Sequence, residues 1–288
     1  MKKEYLYAGV SILLWSTSAT VTKLLLSNLN SMQILFISSF IAFIFLLIIN
    51  LIKGNLKELK KYKLKDYVQI FIIGLLGTFL YNLFLYLGIS KMQASDAFII
   101  NYLWPIMTVL CACIILKEKL TLRKIIAIII SFIGVVIVAG NGNILNITKN
   151  NLTGAIYCII AAISCGLFSS LNKKKNYNKF STTMLFYLFS FLICLVYMLV
   201  SNKFYVPETN QFLGLLWIGI FTSAVAFTSW VLALEKGDIT KISNLAYITP
   251  FLSLIWTGLI LKEKITIYAV LGLVIIVLGI FVQMKEKK

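Results

Sequence analysis

The chain has 288 residues, 60% of them hydrophobic and 13% charged, far more apolar than the roughly half-apolar, quarter-charged make-up of an ordinary globular domain. A formal charge of +17 would suit a nucleic-acid partner in a soluble protein. Here the Lys and Arg residues stand in short segments between long apolar runs, which excludes that partner and makes a bilayer, with its anionic headgroups, the expected surroundings.

The runs each approach the roughly 20 residues a helix needs to cross a hydrocarbon core. In chain order they predict spans at residues 5–26, 31–52, 67–90, 94–116 and 122–140, then 152–172, 180–201, 211–234, 241–261 and 266–284. The expected fold class is an all-α membrane protein with ten transmembrane helices. Lys2 and Lys3 followed by an apolar run and small residues near Ala19 resemble a signal peptide. Removing that segment would leave half of an internal repeat unpaired, so it is read as the first span. Only Lys53 to Lys65 and Asn141 to Asn151 form longer connections, which leaves no room for a soluble domain.

Charge sets the orientation. With the N-terminus inside, the inner segments hold Lys2 and Lys3, the six lysines from Lys53 to Lys65, Lys117, Lys119, Arg123 and Lys124, Lys173 to Lys175 with Lys179, Lys236 and Lys241, and Lys285, Lys287 and Lys288. Lys91, Lys149, Lys203, Lys262 and Lys264 remain outside, so the positive-inside rule puts both termini in the cytoplasm. Lys23, toward the outer end of the first span, either serves a function or snorkels to the headgroups. The five cysteines (Cys111, Cys113, Cys158, Cys165, Cys194) lie inside apolar runs and the chain has no His. Neither a disulfide framework nor a metal site is indicated, and no cofactor is expected.

Residues 101–139 align with 246–284 without a gap, at a constant offset of 145. Asn101 to Pro105 (NYLWP) meets Ala246 to Pro250 (AYITP), Leu116-Lys117-Glu118-Lys119 meets Leu261-Lys262-Glu263-Lys264, Thr121 meets Thr266, and Gly134 meets Gly279. Matches at Pro, Gly and a charged triplet are not expected of two unrelated greasy helices, so the chain reads as a duplicated five-helix unit, 1–140 and 141–288. An odd number of spans per unit inverts the second copy, the architecture by which many carriers expose one site alternately to either side.

These features, with Trp15-Ser16 in the first span and the small residues Ala161, Ala162, Ser164, Cys165 and Gly166 in the sixth, resemble the drug/metabolite transporter superfamily, in its ten-helix branch built from two EamA domains. The resemblance covers essentially the whole chain. The segment Asn101-Tyr102-Leu103-Trp104-Pro105 is similar to one typical of aromatic-amino-acid exporters, which implies amino acids as the substrate class. Cys165 stands where many relatives carry Trp, so fine specificity does not transfer.

Proline leaves the carbonyl four residues earlier without its helical donor, so Pro105 and Pro250 should loosen the fourth and ninth spans. Exposed backbone at that depth is tolerated only against protein or a water-filled cavity. The expected substrate-binding residues gather there: Asn101, Tyr102, Trp104 and Pro105, and Tyr247, Thr249 and Pro250. Thr78, Tyr81 and Asn82 join from the third span and Ser223, Thr228, Ser229 and Trp230 from the eighth. Trp15, Ser16 and Ser18 from the first and Ser164 and Ser169 from the sixth complete the set. The competing reading is that the hydroxyls bond to their own helix carbonyls and the aromatics form interfacial belts. Gly74, Gly77, Gly134, Gly272 and Gly279 are read as packing positions.

No Asp or Glu falls in the middle of a span. Asp96, Glu118, Glu235, Asp238 and Glu263 lie at helix ends, where Glu118 and Glu263 either pair with adjacent lysines or gate access. Without His, and with 10 acidic residues in all, an intramembrane enzyme has few candidate groups. No phosphate-binding glycine loop is present, so gradients must supply the energy. The expected function is export of amino acids across the bacterial plasma membrane by alternating access. A carrier for another small organic solute, such as a nucleoside, vitamin or drug, is the alternative. The expected partners are a small-molecule substrate and membrane lipids, with no nucleic acid, and the sequence leaves the oligomeric state open, a monomer included.

Overall fold

The computed structural model describes residues 3–115, 117, 121–143, 148–175, 177–236, 245–246 and 248–284, which form helices joined by short turns and irregular connections such as 203–208 and 262–266. We number the α-helices α1 (Lys3–Ser16), α2 (Ser18–Leu25), α3 (Ser31–Ile52), α4 (Leu64–Gly74), α5 (Tyr81–Lys91), α6 (Ala94–Asn101), α7 (Trp104–Ile115), α8 (Leu122–Ala139), α9 (Lys149–Lys173), α10 (Lys179–Ser201), α11 (Thr209–Leu216), α12 (Ala226–Lys236), α13 (Ile248–Ile260) and α14 (Ile267–Met284). A 3₁₀ helix, Asn55–Lys61, precedes α4, and π-helical segments at Leu75–Leu80 and Trp217–Val225 join α4 to α5 and α11 to α12.

Among the described residues, seven helical stretches are long and apolar enough to cross a membrane: Lys3–Leu25, Ser31–Ile52, Leu64–Lys91, Ala94–Ile115, Lys149–Asn172, Lys179–Ser201 and Thr209–Trp230. The other three expected spans coincide with shorter apolar helices, Ile125–Ala139, Ile248–Ile260 and Ile267–Gly279. This is a multi-pass membrane protein. Three of its helices, α3, α9 and α10, start on polar caps: Asn30 accepts the Gln33 amide at 2.9 Å while Gln33 accepts that of Asn30, Thr148 caps Asn151 at 3.1 Å, and Asn178 caps Ser181 at 3.0 Å.

The chain forms two compact units, Met1–Phe79 with Asn176–Leu252 and Leu80–Lys175 with Ser253–Lys288. In the first unit α3 packs along α10. Gln33 reaches the Lys203 carbonyl, the rings of Phe36 and Phe191 stack at 5.3 Å, and Asn50 reaches the Phe180 carbonyl. Early residues of one helix meet late residues of the other, so the pair runs antiparallel. Two glycines tighten the unit. A Cβ on Gly74 would stand 2.9 Å from the Phe186 ring, and one on Gly219 2.7 Å from the Ile41 side chain. Gly74 and Gly219 are matching positions of the sequence repeat, as are Ile41 and Phe186. Thr78, expected in the substrate site, is committed to this packing: its hydroxyl lies 2.7 Å from that of Ser190 and 3.1 Å from the Phe186 carbonyl.

The second unit repeats the logic. α8 packs along α14, with Gly142 against Tyr268 at one end and Gly279 against Ala127 at the other, again antiparallel. A Cβ on Gly134 would stand 2.7 Å from the Gly272 carbonyl, and one on Gly279 2.8 Å from that of Ala127. Each contact is the image of the other under the repeat offset. Ser131 Oγ donates to the carbonyl of its own counterpart, Ile276, at 3.1 Å.

A methyl group at Gly134 or Gly279 therefore meets backbone that cannot yield, and overpacking of this kind costs about 1–3 kcal/mol. That exceeds the roughly 0.5–1 kcal/mol a helix gains from Gly→Ala. Gly134→Ala and Gly279→Ala should each lower the thermal unfolding midpoint in detergent. Gly9→Ala, where nothing lies within 4 Å of the added carbon, should hold or raise it.

Candidate functional site

The start of α6 creates an electrostatic demand. Its N-cap residue, Gln93, makes no side-chain capping bond, which leaves the first amides of the helix without an acceptor from that residue. Glu263, in the turn between α13 and α14, fills the role. One carboxylate oxygen accepts the Ala94 amide at 2.7 Å, and the other accepts the Ser95 amide at 3.0 Å and its hydroxyl at 2.7 Å. A carboxylate at a helix N-terminus also gains from the helix dipole. The turn is itself held by backbone: Lys262 adopts φ 54°, and the Glu263 amide bonds back to the Thr257 carbonyl at 3.3 Å, a left-handed helix cap. Lys117, the counterpart of Lys262 in the first repeat, adopts φ 56°. Glu118 lies outside the described residues.

α6 then ends after two turns. Tyr102 and Leu103 form a turn, with the Leu103 amide bonded to the Ile100 carbonyl at 3.1 Å, and α7 starts at Trp104. Pro105 thus falls in the first turn of a new helix, where a missing amide hydrogen costs nothing. The expected loosening of the fourth span is a two-residue turn, across which the Tyr102 amide still bonds back to the Phe98 carbonyl at 3.2 Å.

The break fixes a polar group deep in the bundle. Asn101, the last residue of α6, is 1% exposed, and its Nδ2 donates to the Tyr81 hydroxyl of α5 at 3.1 Å. Asn101 Oδ1 is buried with no hydrogen-bond partner among the described residues. Tyr102 is buried with its ring 6.2 Å from that of the half-buried Trp104. α9 approaches closely because of Gly166, where a Cβ would lie 2.6 Å from the Met107 backbone, and this helix carries the buried Ser164. Asn82, half-buried, follows Tyr81 on α5.

Other expected site residues belong to the first unit. Trp15 donates its indole N–H to the Thr222 carbonyl at 3.0 Å, inside the π-helical segment, and its ring lies 5.4 Å from that of Trp230. Ser229 is half-buried on α12. Thr249 and Pro250 are buried in the first turn of α13, and Thr249 Oγ1 has no partner within the protein. Tyr247 lies outside the described residues.

Sequence reasoning missed Ser95 and the pair formed by Trp217 and Thr17, whose indole N–H and hydroxyl meet at 2.9 Å. The run Ser16-Thr17-Ser18 carried the signal for the latter. Ser16 and Thr17 each bond to the carbonyl three residues back at 2.7 Å and end α1 there. The signal for Ser95 was a helix start whose N-cap side chain leaves the first amides uncapped.

A family model described as the EamA-like transporter family matches residues 2–140 and again 152–284. An uncharacterized transporter of Archaeoglobus fulgidus is 23% identical over 287 residues, covering 99% of this chain and 100% of that protein. One of Clostridium kluyveri is 26% identical over 300 residues, covering 100% of this chain and 95% of that protein. A protein of known crystal structure superimposes with a TM-score of 0.69 at 20% identity, over 97% of this chain and 96% of that one, which establishes a shared fold. With both halves matched, this chain belongs to the EamA-like transporter family, within the drug/metabolite transporter superfamily.

Proposed function

We propose that the protein is a secondary transporter that exports amino acids, aromatic or neutral, across the bacterial plasma membrane by alternating access. The observation that carries this reading is the Asn101–Tyr81 pair at the break in the fourth span. Asn101 Oδ1 is a buried acceptor with no partner among the described residues, beside the Tyr81 hydroxyl, which can donate as well as accept. An acceptor beside a donor suits a headgroup that carries an ammonium and a carboxylate, while Tyr102 and Trp104 offer aromatic faces for a side chain. Pro105, Asn82 and Ser164 belong to the same group, and Thr78 contributes through packing. Trp15 from the first repeat and Ser229, Trp230, Tyr247, Thr249 and Pro250 from the second are also proposed as substrate-binding residues.

The membrane topology is part of the proposal: ten spans in two inverted repeats, 1–140 and 141–288, with both termini cytoplasmic. The antiparallel packing of α3 with α10 and of α8 with α14, each a helix with its counterpart, supports inversion. Glu263, and by repeat symmetry Glu118, act as gating residues by tying and releasing helix ends.

Counterflow of a labelled amino-acid panel in proteoliposomes tests the substrate class. Exchange of at least one member is expected, and exchange of nucleosides or vitamins alone would move the assignment to the alternative class. A hydrogen bond is worth about 0.5–1.5 kcal/mol, so Asn101→Ala should raise the half-saturating concentration roughly 2- to 10-fold. Trp104→Ala should also weaken it, and wild-type saturation in both variants would show the site to be misplaced. Glu263→Ala should lower stability by about 1–2 kcal/mol through loss of the cap and alter the exchange rate more than the saturation. Glu263→Gln, which keeps one acceptor, should fall between. In a background without the native cysteines, membrane-impermeant thiol reagents should label Lys117→Cys and Lys262→Cys from opposite faces; labelling from one face rejects the inverted topology.

A further inference from the structure

The connection between α3 and α4 is an ordered element. With three residues per turn, the 3₁₀ helix Asn55–Lys61 places Leu56 and Leu59, with the extended Tyr62 after it, on one side and Lys57 and Lys60, with the extended Lys63, on the other. The burial follows that division: the first three are half-buried and the three lysines exposed.

The inward face is clamped to the segment that enters α10. Tyr62 accepts the Asn178 amide at 3.1 Å, and its ring meets those of Tyr67 and Tyr177 edge-on at 6.1 and 5.4 Å. Tyr67 donates to the Leu59 carbonyl at 3.0 Å, and Ser181 to that of Asn55 at 3.1 Å. The Tyr177 hydroxyl lies 3.0 Å from Asp66 Oδ1 and 2.9 Å from Gln69 Oε1. Burial first, and then the Asp66 carboxylate, hold the Tyr177 phenol above its ordinary pKa, so it remains a donor.

Both acids of the region are engaged, Asp66 with Tyr177 and Glu58 with Lys61 at 2.8 Å. Lys53 lies over the Phe180 ring at 4.3 Å. Lys57, Lys60 and Lys63 thus form an outward cationic row. At its two ends Ile52, the last residue of α3, is 80% exposed and Leu64, the first of α4, 81%. A cationic row bracketed by exposed apolar side chains, at the level where two spanning helices end, has the composition of an interfacial element.

We propose that the row Lys57, Lys60 and Lys63 is a binding site for the headgroups of anionic phospholipids, with Ile52 and Leu64 entering the acyl region beside them. The phosphates supply the negative charge that the neighbouring acids, already engaged, do not. Because the clamp holds the lysines in place, headgroup binding stabilises the folded protein without depending on substrate.

The test titrates phosphatidylglycerol into micelles of a neutral detergent holding the full chain and follows the thermal unfolding midpoint. The midpoint should rise in wild type. Each lysine near an anionic surface contributes about a fivefold factor, so K57Q/K60Q/K63Q should need roughly 100-fold more lipid for the same rise. K57R/K60R/K63R should respond as wild type does, and so should K149Q/K203Q/K264Q, which removes three lysines assigned to the other face. Equal weakening in the two glutamine triples, or no response in wild type, overturns the proposal. So does an equal effect of soluble glycerol phosphate, which would identify a free anion site. Counterflow in neutral vesicles should survive in K57Q/K60Q/K63Q; its loss would put the lysines in the transport path and overturn the assignment. The lipid readout needs no transported substrate, so it stands or falls separately from the amino-acid reading.

Discussion

The constraint on which this structure depends is that a hydrocarbon core offers no water to a backbone amide or carbonyl, so every interruption of a spanning helix needs a partner from the protein. The chain interrupts its helices repeatedly and answers each time. Hydroxyls of Ser16 and Thr17 turn back onto carbonyls where α1 ends. The Trp15 indole takes the Thr222 carbonyl of the π-helical segment, and Ser11 takes that of Ala226 just beyond it. Glu263 takes two amides at the start of α6. π-helical turns and broken helices are common at functional sites because they trade regular backbone bonds for replaceable ones. In this protein they recur at matching positions of the two repeats, in the segments around Gly74 and Gly219.

Internal duplication explains why the packing is economical. A helix that meets its own counterpart antiparallel makes every contact twice, so one favourable glycine yields two. Gly134 with Gly272 and Gly279 with Ala127 show this across α8 and α14, and Gly74 with Phe186 and Gly219 with Ile41 show it in the other unit. Lipid tails are as apolar as leucine, so close approach and interhelical hydrogen bonds, more than hydrophobic exclusion, hold such helices together. Ser131, bonded to the carbonyl of its own image Ile276, supplies both in one residue.

Much of this was legible in the sequence because its physics is periodic or covalent. Apolar run length marks the helices, the offset of 145 marks the duplication, and Pro105 marks the break, since a ring nitrogen has no hydrogen to give wherever it sits. Gly74, Gly134, Gly272 and Gly279 read as packing positions and do pack. What escaped was set by partners far away in the chain. Thr78 carries the same hydroxyl as any cavity-lining residue, and only the approach of Phe186 and Ser190 commits it to packing. Glu263 read as one half of a lysine pair or a gate, and its actual partners lie 168 and 169 residues away. The residues expected around one cavity fall into separate groups, Tyr81 with Asn101 in one unit and Trp15 with Trp230 in the other.

Magnitudes separate Asn101 from the other buried polar groups that lack protein partners. Thr20, Thr22, Ser39, Thr249 and Ser253 carry hydroxyls, which rotate and in a helix lie within reach of a carbonyl one turn back, so their cost is small. Asn101 keeps a bond to Tyr81 whichever end of its amide faces that hydroxyl, and in either orientation the other end is left buried and unpaired among the described residues. An unmet buried acceptor costs about 1–3 kcal/mol, a sizeable part of the 5–15 kcal/mol that typically separates folded from unfolded protein. An apolar residue in its place would remove that cost and pack at least as well. A helix end therefore carries a polar side chain with one buried group unpaired among the described residues, beside a tyrosine hydroxyl. At the proposed site, a solute that hydrogen-bonds there would relieve that cost while bound and restore it on leaving. Because a neutral hydrogen bond contributes only about 1 kcal/mol, binding of that kind would favour release as well as loading.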